Sequence, residues 1–167
     1  PDSAGCFSGC AIDADGTPTI IYTGTQGANC EIQTQCLATA ADDNLTRWTK
    51  HPNNPVLSDV PSFLNQTRDF RDPFVWRMND SWYMVLGSQI ADEAGVILLY
   101  KSSDLQQWEF KGTLLQGNQA ETGSHWECPN FFPIEDKWVL IVSSIDPEKR
   151  VYAFVGTFER EQFHVET

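Results

Sequence analysis

Basic residues are scarce in this chain. Its 167 residues hold 11 Lys and Arg against 23 Asp and Glu, a net charge of -12. Nucleic-acid binding needs a cationic face to displace counterions, so no nucleic-acid partner is expected. The same acidity disfavours an anionic membrane surface. Long apolar runs are missing too. No stretch approaches the roughly 20 residues of a transmembrane helix, and Pro1-Asp2-Ser3-Ala4-Gly5 is polar where a signal peptide would be apolar. An initiator Met is absent, so Pro1 is not expected to be the natural start. Histidine is limited to His51, His125 and His164, none in a motif with a Ser or Cys nucleophile. No nucleophilic triad is expected. The cysteines are few and odd in number: Cys6, Cys10, Cys30, Cys36 and Cys128. Cys6 and Cys10 lack the second ligand pair of a zinc site, so neither a metal nor an organic cofactor is expected. Cys30 and Cys36 would close a small loop if the protein is secreted. Helical periodicity is also lacking, since nowhere do apolar residues keep a spacing of about 3.6 over three turns.

What is present is a repeat. Hydrophobic residues make up 41% and aromatics 12%, which suits one globular domain. Three stretches share a strand–turn–strand pattern of β-branched and aromatic runs. The first runs from Gly9 through the turn Ala14-Asp15-Gly16 to Tyr22. The second runs from Asp72 through Met78-Asn79-Asp80 to Leu86, and the third from Cys128 through Ile134-Glu135-Asp136 to Val142. A further strand and turn follow in each unit: Gln35–Thr39 leads to Asn44–Trp48, Ile97–Lys101 to Asp104–Trp108, and Val151–Val155 to Phe158 and Phe163. Trp48 and Trp108 are 60 residues apart, Trp82 and Trp138 are 56 apart. About four strands per unit at such a period predict propeller blades rather than a plain β-sandwich. The expected blades are 1–58, 59–114 and 115–167, with Pro52, Pro55 and Pro61 marking a connection between the first two. Three blades do not close a ring, which takes about four to eight. The fold class is therefore all-β, a partial propeller.

Asp72 and Glu127 stand at almost the same point of successive units. A blade's first strand begins near the central axis, so their side chains would converge there. Two carboxylates brought together raise each other's pKa, and one can stay protonated as a general acid. Glycosidic bond cleavage makes that demand. Asp15, Asp43, Asp80, Asp92, Glu93, Asp104, Glu148, Glu159 and Glu161 share no such setting and read as solvated surface acids. Arg71-Asp72 alone would read as a surface ion pair of little energy.

Phe70-Arg71-Asp72-Pro73-Phe74-Val75 resembles the Arg-Asp-Pro motif of glycoside hydrolase family 32, the invertases, inulinases, levanases and related fructosyltransferases. Trp126-Glu127-Cys128-Pro129 resembles its Glu-Cys motif. Phe7-Ser8-Gly9-Cys10-Ala11 resembles its Phe-Ser-Gly-Ser stretch, with Cys10 where Ser is common. The three occur in family order and span the chain. The resemblance implies a five-bladed propeller and a retaining β-fructofuranosidase. Glu127 would be the general acid/base and Asp72 the transition-state stabiliser. Arg71, Phe7 and Ser8 would hold the sugar. Trp126 would supply a flat wall or belong to the core, and Cys128 would adjust Glu127 or simply pack.

The family's nucleophile is the Asp of an Asn-Asp-Pro-Asn-Gly-like stretch. Met78-Asn79-Asp80 lacks the Pro-Asn-Gly continuation and falls at an outer turn, so Asp80 is rejected. The nucleophile is expected upstream of Pro1, a C-terminal β-sandwich beyond Thr167, and the 167-residue chain alone is expected to be inactive. The expected partner is a fructose-containing oligo- or polysaccharide such as sucrose, inulin or levan, handled outside the cell. A fructosyltransferase or a non-catalytic sugar-binding propeller would share every residue seen here. An arabinan- or xylan-cleaving furanosidase is disfavoured by the Glu-Cys string. Asn44, Asn65 and Asn79 open glycosylation sequons, which are common by chance.

Overall fold

The computed structural model of the chain describes residues 1–64, 67, 69–90, 94–145 and 149–167. The sequon at Asn65, part of the loop expected around 91–93, and the acids Asp92, Glu93 and Glu148 lie outside these residues.

Among the described residues, twelve strands form three antiparallel sheets of four, each in simple up-and-down order. The first holds β1 (Gly5–Ala14), β2 (Thr17–Gln26), β3 (Ile32–Ala40) and β4 (Trp48–Lys50). The second holds β5 (Phe70–Met78), β6 (Ser81–Ile90), β7 (Ala94–Ser102) and β8 (Glu109–Gln116). The third holds β9 (Trp126–Ile134), β10 (Lys137–Ser144), β11 (Arg150–Glu159) and β12 (Gln162–Val165). These are blades of a β-propeller, as the repeat predicts. β8 runs to Gln116, past the boundary placed at 114. Helix among the described residues is confined to one short turn, Gln119–Thr122, and a 3-10 turn at Ser62–Leu64.

The blades repeat in detail. Trp48 Nε1 donates to Leu45 O at 3.1 Å, and Trp108 Nε1 to Leu105 O at 3.0 Å. Each turn is closed by an aspartate, Asp42 or Asp104, accepting two downstream backbone N–H groups. The core lies between the blades. Ile21, Phe70, Met84, Leu98 and Tyr100 fill the space between the first and second. Phe131, Leu140, Phe158 and Phe163 fill that between the second and third, where Phe131 stacks on Trp138 at 4.7 Å between centroids. Burial of this apolar surface, at about 25 cal/mol per Å², is what holds the blades together.

The expected disulfide does not form. Cys30 and Cys36 are both free, Cys30 in the connection between β2 and β3 and Cys36 buried inside β3. A buried Cys in a strand packs as a small hydrophobe.

Candidate active site

All three inner strands break register at the same place. Pairing of β1 with β2 skips between Cys6 and Gly9, that of β5 with β6 between Arg71 and Phe74, and that of β9 with β10 between Glu127 and Asn130. Each break is a β-bulge, which bends a strand and re-aims a side chain. Asp72 and Cys128 sit inside the bulges with φ of 61° and 48°. Such angles are costly for residues other than glycine and mark over-determined positions. The register also sharpens the sequence correspondence. Cys6, Arg71 and Glu127 are the equivalent last paired residues, while Phe7, Asp72 and Cys128 follow them. Asp72 and Glu127 are one place out of step.

The bulges bring these side chains to one cavity of about 830 Å³, lined by Phe7, Ser8, Arg71, Asp72, Glu127 and Cys128 among others. Arg71 is its hub. It is buried rather than a surface residue, and Nε lies 3.0 Å from Glu127 Oε1 and 3.9 Å from Asp72 Oδ2. Nη2 adds a bond to Glu127 Oε1 at 2.5 Å. Nη1 donates to Gln33 Oε1 at 3.2 Å and to Asp69 Oδ1. Charge-assisted bonds of this kind are short and orienting.

The two carboxylates differ. The Glu127 side chain is 28% exposed and its described contacts fall on Oε1. Asp72 is buried, with Oδ2 accepting from the Cys128 N–H at 3.0 Å. Its own N–H donates to Thr23 Oγ1 at 2.9 Å, which donates to Gln35 Oε1 at 2.8 Å, and Gln35 Nε2 donates to Phe70 O at 2.7 Å. This buried chain of bonds fixes the bulge from the first blade. Burial pushes the Asp72 carboxyl above its ordinary range, against the Cys128 N–H and the Arg71 charge, with only a lesser push from Glu127. Mutual repulsion, expected from sequence, is thus a minor influence. The Cys128 thiol is pushed up to about 11 by desolvation and by the Asp72 carboxylate.

Trp126 is no pocket wall. It is fully buried, with Nε1 donating to Thr122 O at 2.9 Å. Its ring lies against Gly95 and Gly117, where an added Cβ would meet ring carbons at 2.5 and 2.4 Å. Indole burial of this depth anchors the strand that carries Glu127. Gln33, Asp69 and His125 escaped the sequence reading although they reach the same cavity. Asp69 stands two residues before Arg71, the spacing that puts two side chains on one face of an extended segment, a signal that could have found it.

The propeller thus holds one partly exposed and one buried carboxylate at a single polar cavity. The family model described as Glycosyl hydrolases family 32 N-terminal domain matches residues 1–167, and the chain belongs to that family. Sucrose-6-phosphate hydrolase of Salmonella typhimurium is 41% identical over 145 residues, covering 84% of this chain and 30% of that protein. The cell wall beta-fructofuranosidase of Zea mays is 36% identical over 178 residues, covering 95% and 29%. Among solved structures, a Bombyx mori GH32 beta-fructofuranosidase mutant in complex with sucrose superposes with a TM-score of 0.83 at 30% identity, covering 99% of this chain and 37% of that one. The chain spans about a third of the length of these relatives.

Proposed function

We propose that this chain carries two of the three acids of a retaining β-fructofuranosidase. Glu127 protonates the leaving oxygen and then activates water. Asp72 binds fructosyl hydroxyls as positive charge develops on the ring, and Arg71 sets Glu127 in place. The nucleophile that forms the covalent fructosyl-enzyme is a third carboxylate. Phe7 and Ser8 border the sugar. The observation that carries this reading is the unequal pair of carboxylates on one guanidinium. An acid/base must reach the leaving group, and Glu127 is the more exposed of the two, with its described contacts on Oε1. A stabiliser must not move, and Asp72 is held from three sides.

Sucrose and sucrose phosphate are the first substrates to assay, from the names of the relatives; inulin and levan extend the same proposal to polymers. The extracellular setting expected from sequence agrees with the name of the maize relative. The test is steady-state hydrolysis by the full-length protein that contains this chain. Glu127→Gln is expected to lower kcat by about 10²–10⁴, the range for a lost general acid. Wild-type turnover in that variant would remove Glu127 from the mechanism.

A further inference from the structure

We propose that His125 is a positioning residue: a neutral imidazole, protonated on Nδ1, that holds the Arg71 guanidinium and through it the carboxylate of Glu127. A guanidinium has five N–H donors and no acceptor. Around Arg71 all five are used. Nε and one Nη2 proton go to Glu127 Oε1. The two Nη1 protons go to Asp69 Oδ1 and Gln33 Oε1. The last Nη2 proton meets His125 Nε2. Because Arg71 can only donate, Nε2 supplies a lone pair. The proton of the neutral ring is then on Nδ1, which faces Asp69 Oδ2 at 3.7 Å.

The partners are themselves held. Asp69 Oδ2 accepts from Gln89 Nε2 at 2.6 Å, and Asp69 O from Ser88 Oγ at 2.5 Å. The His125 carbonyl accepts from Ile145 N at 3.3 Å. His125 is buried beside the Trp126 anchor, so the ring cannot drift without moving β9. A row of side chains from Asp69 through His125 and Arg71 thus ends on Glu127 Oε1.

The arrangement has a pH sense. Among the described residues, charged groups that face the ring include Asp69 and Arg71 from the second blade and Glu127 from β9; Asp72 and Cys128 lie beyond Arg71. Asp69 and Glu127 favour an imidazolium, and Arg71 opposes it. Protonation of Nε2 sets two donors and two positive charges against each other. Arg71 then loses its fifth acceptor, and His125 competes for Glu127 Oε1, 3.8 Å away. Acid weakens the grip on Glu127 through the imidazole.

The kinetic arm of the test rests on the proposed function; the spectroscopic arm does not. In the full-length protein labelled with 15N-histidine, His125→Gln identifies the His125 signals by their loss. Near neutral pH the wild-type ring is expected to show a protonated Nδ1 and a bare Nε2. An Nε2–H tautomer or an imidazolium there would overturn the inference. With sucrose, His125→Gln keeps an acceptor for Arg71 and is expected to hold kcat within about threefold, while the acid limb of its pH profile loses one ionisation and moves to lower pH. His125→Leu removes the acceptor and is expected to cost about a hundredfold in kcat with KM little changed. An unchanged acid limb in His125→Gln sinks the proposal, as does wild-type kcat in His125→Leu. A bare Nε2 in a protein that cleaves no fructoside would support the positioning role and reject the function.

Discussion

The two ends of each blade use one backbone conformation for opposite purposes. At the outer ends, Asp15-Gly16, Asn79-Asp80 and Arg160-Glu161 take positive φ at both central positions of a hairpin turn. That is what a tight I′ connection requires, and Asp, Asn and Gly supply it at little cost. At the inner ends, Asp72 and Cys128 take positive φ in mid-strand. Here the conformation does not reverse the chain. It inserts a residue into the strand and turns a carboxylate and a thiol toward the axis. The first hairpin turns of the first two blades use residues that suit the backbone; the inner ends use residues that suit the cavity and hold the backbone with neighbours. At Asp72 and Cys128 the angle is held by neighbours that meet at the cavity.

The largest break in this contrast is expected at Gly87. It is the β6 partner of Arg71, and a Cβ there would come within 2.5 Å of Trp126 O and 3.2 Å of Glu127 Cα. Both atoms are backbone, so the blades must part. Gly87→Ala is expected to cost about 1–3 kcal/mol, the range for overpacking. Chemical denaturation measures that loss. Turnover should fall with it even where the variant is fully folded, because the shift falls on the Glu127 backbone. A change of the same volume at an outer turn should leave turnover alone. Full activity in folded Gly87→Ala would mean that the inner geometry tolerates displacement, against the bulge argument.

The outer ends were legible in the sequence and the inner ends only in part. Asp15-Gly16 and Asn79-Asp80 announce turns by composition, and the Trp48 and Trp108 turns share a Leu-x-x-Trp spacing, Leu45 to Trp48 and Leu105 to Trp108. The strand period then follows from β-branched and aromatic alternation. Asp72 and Glu127 were found as acids in equivalent units, but their registers differ by one place. A bulge is invisible to a pattern of period two, since it is a property of pairing between strands. Arg71 was expected to hold the sugar, and its burial and grip on Glu127 were not legible because they depend on Asp69, Gln33 and His125, which come from three separate segments. Trp126 looked equally suited to a wall or a core, and only the gap at Gly95 and Gly117 assigns it to the core.

A smaller effect sharpens the difference between strain kept for chemistry and strain without a use. Burial raises the Asp72 carboxyl pKa in the folded chain. At low pH both folded and unfolded chains carry the proton, and nothing is lost. As pH rises through the ordinary carboxylate range the unfolded chain ionises first. The folded chain then binds more protons, and its stability falls until pH passes the folded value. Asp72→Asn removes that penalty while Asn Oδ1 can still accept from the Cys128 N–H. Relative to wild type it is expected to gain about 0.5–2 kcal/mol by neutral pH, the scale of stabilising replacements at functional positions. Parallel melting curves in acid and at neutral pH give the comparison. A gap that closes as pH rises contradicts the assignment of burial as the dominant influence.

The smallest effect tests the outer end. Glu135 takes φ of 55° in the third hairpin turn, where the first two blades place Asp15 and Asn79. It is exposed, so no cavity or partner accounts for a residue ill suited to that angle. Asn enters the left-handed region several times more readily, and Glu135→Asn is expected to stabilise by about 0.5 kcal/mol. Its turnover should be unchanged. The equivalent swap at the inner end, Cys128→Asn, relieves the same kind of angle but removes the thiol beside Asp72. If both swaps stabilise and only the inner one alters turnover, the two ends differ in use and not in backbone. If Glu135→Asn also changes turnover, the outer turns are coupled to the cavity and the contrast drawn above fails.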